Sequence, residues 1–310
     1  MIFSITKPIK QKKSLDGVDI IVDNDAVLQY EKNGFFRSLF NVCLSHCLQL
    51  ISVSVGDFLI KKSSKKAVIV QKNVTTHIAL DVLYTTGVKF KNFYFFDEIA
   101  EHIWFNLSNP RAVRNRLKLV KKLLKQSINL KLKEEKKIIN IVSLASGSAR
   151  AIIETVKKFD NKTGVTFNVK LLDRNSKALE ISKKIVQKNN ISNSSFEFIV
   201  DKIRNFPNYC KGIDVDIIEM VGFLDYLDEE KGILVLNKIY DNLTIGGVFI
   251  TANIRDNNER KFVEKVLRWK MVYRNPNDLS SILLKSGFNA ENIVILYEPL
   301  LIHGVAIAKK

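Results

Sequence analysis

From residue 136 onward this 310-residue chain predicts an α/β fold: a mostly parallel sheet covered by helices on both faces. Three observations predict it. Short runs rich in apolar residues alternate with helical stretches, as in strands covered on both faces. The first run ends in a small-residue turn that leads straight into a helix. The second and third runs each end in an aspartate.

Strands are expected at 138–144, 167–172, 196–200, 215–221, 247–252, 293–297 and 301–308. Helices are expected at 149–159, 175–189, 229–242, 258–268 and 276–286. The last two strands have only the turn around Glu298-Pro299 between them. They therefore form a hairpin, and one of them runs antiparallel.

The first 135 residues read differently. Residues 1–25 form a basic, irregular lead with short strands, and 26–60 are mainly helical. Ala67-Val68-Ile69-Val70 reads as a β-rich run after the charged turn Lys61-Lys62-Ser63-Ser64-Lys65-Lys66. Residues 76–84 and 97–107 are again helical. Ser108-Asn109-Pro110 supplies a polar cap and a first-turn proline. The helix that follows, 111–132, spaces Val113, Leu117, Val120, Leu124 and Ile128 by three or four. Its other face carries Arg114, Arg116, Lys118, Lys121, Lys122 and Lys125. The polar run Lys131–Lys137 marks the division into 1–135 and 136–310. Phe35, Phe36, Phe40, Phe93, Phe95, Phe96 and Trp104 need burial. The N-terminal region is accordingly expected to be mostly helical and to cap the carboxyl ends of the strands, where open α/β sheets bind ligands. Without that cap, a chain beginning near Lys133 is expected still to bind its ligand weakly but to lose its activity.

Composition narrows the class less. Net charge is +17, with 38 Lys and 11 Arg, which fits either a polyanionic partner or lysine used as a surface filler. Cys43, Cys47 and Cys210 offer no zinc spacing, so no metal is expected, and buried free thiols in a reducing cytoplasm are. The start, Met1 to Pro8, lacks a signal-peptide run. The most apolar stretch, 35–60, is broken by Arg37, Asn41, His46, Gln49 and Asp57. It reads as a buried amphipathic helix, with membrane-surface contact as the lesser alternative.

The chemistry lies at the strand ends. The turn Ser143-Leu144-Ala145-Ser146-Gly147-Ser148-Ala149-Arg150 lets backbone approach a ligand closely. Asp173, in Leu172-Asp173-Arg174-Asn175, is placed to accept two ribose hydroxyls. Asp201, in Val200-Asp201-Lys202-Ile203, is placed to accept an adenine amine. A helix-capping carboxylate is the plain alternative at each. Together they describe a pocket for adenosine without phosphates.

The segment from Lys136 to the C-terminus resembles the class I S-adenosylmethionine-dependent methyltransferases. Gly147 keeps the middle glycine of that family's first motif. Ala145 and Ala149 stand for its other glycines, and Ser143 for the acid often found at the strand end. Further likeness, to a subgroup containing 3-hydroxy fatty acid methyl ester-forming enzymes, lies in Gly222-Phe223-Leu224-Asp225-Tyr226-Leu227, Gly246-Gly247, Asn253 and Trp269-Lys270-Met271-Val272-Tyr273-Arg274. The resemblance implies a Rossmann-like seven-stranded sheet with a C-terminal antiparallel hairpin. S-adenosyl-L-methionine is the implied cofactor, held by Ser143, Ala145, Ser146, Gly147, Arg150, Asp173, Arg174, Asp201, Lys202, Ile203, Glu219 and Gly222. Glu219 is a candidate base or amine-orienting group, or a strand-edge carboxylate paired with a lysine. Tyr226, Asn253, Arg255, Tyr273 and Arg274 are candidates to line the acceptor pocket, an arginine there suiting a carboxylate. Tyr273 and Arg274 alternatively anchor a covering helix. His46, His77, His102 and His303 are isolated and read as structural; Trp104 and Phe105 read as core or as a roof to the site.

The favoured reading is a small-molecule methyltransferase. An RNA methyltransferase using the 111–125 basic helix, and a non-catalytic cofactor binder, stand as alternatives. Where many nucleobase amino methylases carry an Asn/Asp-Pro-Pro-Tyr/Phe motif, this chain has Glu219-Met220-Val221-Gly222. A nicotinamide dehydrogenase is disfavoured by the missing GxGxxG. Oligomeric state is left open.

Overall fold

In the computed structural model, residues 11–85, 96–160 and 164–310 are described. Two short strands, β1 (Gln11–Lys13) and β2 (Asp19–Val22), open this part of the chain. Five helices follow: α1 (Phe35–Leu50), α2 (Val53–Ser63), α3 (Lys65–Lys72), α4 (His77–Thr85) and α5 (Phe96–Phe105). The long helix α6 (Ser108–Lys133) then delivers the chain to β3 (Ile138–Leu144). Alternation begins there: α7 (Arg150–Phe159), β4 (Thr166–Asp173), α8 (Ser176–Lys188), β5 (Ser195–Val200), β6 (Val215–Val221), α9 (Glu229–Asn242) and β7 (Leu243–Ile254). It closes with α10 (Arg260–Lys265), α11 (Pro276–Leu284), β8 (Ile293–Tyr297) and β9 (His303–Lys309).

The strands form one sheet in the order β1-β2-β8-β9-β7-β6-β3-β4-β5. Strands β3 to β7 pair in parallel, and β9 runs antiparallel to both β7 and β8. The seven-stranded sheet with its C-terminal hairpin is present. The N-terminal lead extends it, because β2 pairs in parallel with β8, Asp19 lying opposite Val294. Alternate residues of each strand feed two cores. Ile139, Ile141, Val169 and Leu171 pack under α6 and α7, while Val142, Leu144, Ile218 and Met220 pack under α9 and α11.

Helix α6 is shared between regions. Its Leu119, Val120, Leu123, Leu124 and Ile128 are buried in the first sheet core. Its Val113 joins a separate apolar cluster built from α2 to α5 and α10.

Three expectations are corrected. Ala67–Val70 is helix, not strand: the Ser64 side chain accepts from Ala67 N to cap α3, and Ala67 and Val70, one turn apart, are both buried. Local burial on a helical face overrides the strand preference of a short β-branched run. Cys43 and Cys47 are exposed on α1 rather than buried; Cys210 is buried. The arginines of α6 are turned inward. Arg111, Arg114 and Arg116 are all buried. Arg114 forks onto both Glu31 oxygens at 2.6 and 2.7 Å, and Lys122 lies 2.9 Å from Asp23 and 3.1 Å from Asp25. The lead engages Arg111, Arg114, Lys118 and Lys122, Lys121 pairs with Glu154, and Lys125 remains exposed. The side chains of Phe35, Phe36, Phe40 and Phe96, and residues Phe93 and Phe95 entirely, lie outside the described residues. No described helix is long and apolar enough to cross a membrane.

Candidate cofactor cleft and acceptor chamber

The loop after β3 is a sharp turn with three left-handed residues, Ala145 (φ 50°), Gly147 (φ 54°) and Ala149 (φ 46°). The two alanines occupy a conformation that disfavours a Cβ by about 1–2 kcal/mol each. The turn is held from the next strand. Asp173 at the end of β4 accepts from Gly147 N (2.9 Å) and from Asn175 N (2.8 Å). Ser182 Oγ donates to Gly147 O, tying the loop to α8. Ser146 Oγ is buried with no partner. Arg150 lies at the start of α7, 3.3 Å from Glu154 and 3.7 Å from Asp81.

At the end of β5, Asp201 accepts from Lys202 N, Asn205 Nδ2 and Tyr209 OH. Those bonds, the backbone one first, hold its carboxyl below the ordinary range. Asp173, Arg174, Asp201, Lys202, Ile203, Ala145, Gly147 and Gly222 all line one cleft of about 570 Å³. That is the size of a small-molecule site. Helix α4 closes it from above. His77 packs over Gly147, where an added Cβ would come within 3.4 Å of its own Cβ. Ser148 Oγ donates to Asp81 of the same helix.

Ser143 and Glu219 are opposite each other on β3 and β6. Ser143 Oγ donates to Glu219 Oε2 at 2.6 Å. Burial pushes the Glu219 carboxyl up to about 7, against the opposing pull of Ser143 and Arg116. Glu219 thus presents a carboxylate beside the position where the family's first strand often ends in one. With Ser146, Gly147 and His77 it lines a smaller recess continuous with the cleft.

A second cavity, about 90 Å³, lies beyond Gly222 and Tyr226. Its walls are Ile60, Val70, Leu83, Trp104 and Val113 from the N-terminal helices, and Phe262, Val263, Trp269 and Met271 from the α10 region. Trp104 stacks on Phe262 at 5.4 Å. Most polar lining groups are already satisfied: Tyr226 OH accepts from Trp269 Nε1, and Glu259 accepts from Ser108 N and Asn109 N. Two are not. Arg116 is 2 % exposed, sits 3.9 Å from Asp225 and donates from Nη2 to Tyr84 OH at 3.4 Å, but its Nε has no hydrogen-bond partner. His303 is 2 % exposed with both ring nitrogens unpartnered. Burial, then the nearby Arg116, drives its pKa well down, so the imidazole is neutral. Asp225 accepts from Ile254 N and is pushed up by burial.

The other sequence candidates are placed elsewhere. Arg274 donates to the Leu224 and Leu227 carbonyls and to Asn253 Oδ1, anchoring the turn after β6. Tyr273 lies under the Arg260 guanidinium, 4.3 Å from its ring centre. Arg255 is exposed in a separate groove with Ser108 and Leu300. None of the three lines the chamber; Tyr226 does. Arg116 and His303 were not legible as site residues. Arg116 sits in a basic stripe whose partners are distant in sequence, and nothing local distinguishes His303 from a structural histidine. Among the described residues, no group of three His, Cys, Asp or Glu could hold a metal ion.

The sheet order, the turn after β3 and the acids after β4 and β5 define a class I methyltransferase fold. The chain belongs to the methyltransferase-domain family, which matches residues 135–292. Its fold is similar to that of a possible exported protein from Bordetella parapertussis, at 12% identity and a TM-score of 0.63, over 88% of this chain and 95% of that one. It is also similar to magnesium protoporphyrin IX methyltransferase from Synechocystis PCC 6803, solved with bound SAH, at 11% identity and a TM-score of 0.52, over 79% and 99% of the two chains. No curated protein matches the chain in sequence. The cofactor of this fold is S-adenosylmethionine, and the residues present suit it: an orphaned Ser146 hydroxyl, a glycine cradle at Gly147 and two carboxylates along one cleft.

Proposed function

We propose that this protein methylates a small, largely apolar acceptor that carries a hydroxyl or a carboxylate. The observation that carries the reading is the meeting of two cavities at Gly222 and Tyr226, one polar and strand-end, one apolar with two unsatisfied buried polar groups. S-adenosylmethionine, when bound, supplies a methyl group activated on a sulfonium.

The residues of the cleft divide its binding. Asp173 receives the ribose hydroxyls, with Arg174 beside it. Asp201, Lys202 and Ile203 border the adenine. Ala145, Ser146 and Gly147 offer backbone and hydroxyl to the methionine end, and Arg150 braces that loop through Asp81 and Glu154. Glu219, kept near neutrality by burial and held by Ser143, ionises against the cationic amine. In the chamber Arg116 offers donors to an acceptor oxygen, and neutral His303 accepts a hydrogen bond from a hydroxyl and orients it. The apolar walls exclude water and hold the acceptor in line, which is most of what the protein contributes to such a transfer.

Calorimetry with S-adenosylmethionine, S-adenosylhomocysteine and NAD tests the cofactor assignment. Binding of the first two and not the third is expected; NAD binding alone overturns it. Transfer is then read as S-adenosylhomocysteine release with hydroxylated and carboxylated aromatic or acyl acceptors. Cofactor binding with no release for any acceptor leaves a non-catalytic binder.

A further inference from the structure

A surface helix of a folded protein turns its polar stripe outward. Helix α1 turns an apolar stripe outward. Leu39, Val42, Cys43, His46, Cys47 and Leu50 follow one another at spacings of three and one, so they form a single stripe, and all six are exposed. His46 is the one polar member, and its Nδ1 lies 2.9 Å from Val42 O. The apolar surface continues onto α2 with exposed Val53, Val55 and Phe58. Leu50 is 87% exposed, Phe58 59% and Leu39 57%. Side chains this apolar and this open on adjoining elements mark an interaction surface.

Among the described side chains, the patch is bordered mainly by lysines. Exposed Lys61 and Lys62 end α2, and exposed Lys65 and Lys66 begin α3. From residue 32 to 80 the sequence has seven Lys or Arg and a single acid, Asp57, which is engaged by Arg268 and Gln71. Glu101 answers Lys66 alone.

We infer that α1 and α2 seat the protein on an anionic lipid bilayer, with the apolar stripe among the acyl chains and the lysines at the headgroups. An apolar patch bordered by cations matches a surface that is apolar within and anionic at its edge. A second copy would bring the same lysines against each other across a two-fold axis. A nucleic acid offers phosphates but nothing to cover Leu50 and Phe58. The same helices have a second use: Ile60 of α2 and Ala67 and Val70 of α3 line the apolar chamber from its other side. Docking therefore brings that chamber to the bilayer. The inference does not depend on methyl transfer, since it concerns the outer face alone.

The test is flotation of the full chain with vesicles of phosphatidylglycerol and phosphatidylcholine, against phosphatidylcholine alone. Flotation with the anionic vesicles only, falling as salt rises, is expected. Leu50→Ser with Phe58→Ser should lower partitioning at least tenfold with an unchanged Tm. Lys61→Gln with Lys62→Gln should lower it about 10- to 30-fold. Val27→Ser with Ile245→Ser, equally exposed but outside the patch, should leave it unchanged. No flotation, flotation indifferent to the patch variants, or equal loss in the control overturns the inference. So does a dimer in sedimentation that Phe58→Ser dissolves, which would assign the face to a second copy.

Discussion

The cofactor cleft and the acceptor chamber share Leu80, Gly222 and Tyr226, yet they are built by opposite means. The cleft is made where consecutive strands end, so each of its parts is one loop with one local job: a tight turn, an acid, a second acid. The chamber is made where distant segments close on one another. Arg116 of α6, Asp225 after β6 and His303 of β9 meet there only because the sheet and the N-terminal helices bring them together. A site assembled from local loops leaves its mark in sequence order. One assembled by packing does not.

Deleting residues up to Lys133 should have the largest effect. The five buried aliphatics of α6 in the sheet core each contribute about 1.5–3 kcal/mol. Their sum, on the order of 10 kcal/mol, rivals the whole stability of a domain. The truncated chain is expected to be unfolded by circular dichroism, against the reading of a removable cap. A folded, cofactor-binding product would show that the two regions separate after all.

Next, Asp225→Ala strips the partner from a buried guanidinium and an acceptor from Ile254 N. A loss of about 3–5 kcal/mol in urea unfolding is expected. Adding Arg116→Met should recover part of it, because the chamber then holds no unpaired charge. Equal losses in single and double variants would break the link between the two residues.

Glu219→Gln probes the shared boundary through pH. A carboxyl raised from 4.5 to about 7 by folding gives stability that is complete below 4.5 and lost as pH rises through 7. The difference is on the order of 3 kcal/mol. The wild-type Tm should fall between pH 5 and 8, and the Gln variant should not show that fall. S-adenosylhomocysteine should flatten the wild-type slope if its amine faces Glu219. In the cleft itself, Asp173→Ala should weaken S-adenosylmethionine binding about 10- to 100-fold by calorimetry, since a charged acceptor is worth about 1.5–3 kcal/mol. Least of all, Ala145→Gly should raise stability by up to about 1 kcal/mol, by relieving a Cβ at φ 50°. A fall in Tm would show that the Ala145 methyl packs usefully.

The strands were legible to within a few residues because short apolar-rich runs recur between amphipathic helical stretches, the central ones buried on both faces. The turn at Gly147 and the acids at 173 and 201 followed from their places at strand ends. Ala67–Val70 misled because four β-branched or small residues carry no period of their own; the Ser64 cap and the burial of one side decide the matter. The arginines of α6 misled for another reason. Charge periodicity says which face is polar but not whether that face meets water or Glu31, Asp225 and the Phe105 carbonyl.

The pairing of β2 with β8 bears on how the chain is made. Asp19 to Val22 are synthesised before the strand they add to, which does not exist until Val294 to Tyr297 have followed. During all of that time Ile20, Ile21 and Val22 are an unpaired apolar edge, and edges of that kind recruit other chains. Their ladder also closes the longest strand-to-strand loop among the described residues, which makes it a late and slow event in folding. The nascent Asp19–Val22 segment should therefore be a point of vulnerability to aggregation, and a chaperone that shields it until Val294 to Tyr297 are made should raise the yield.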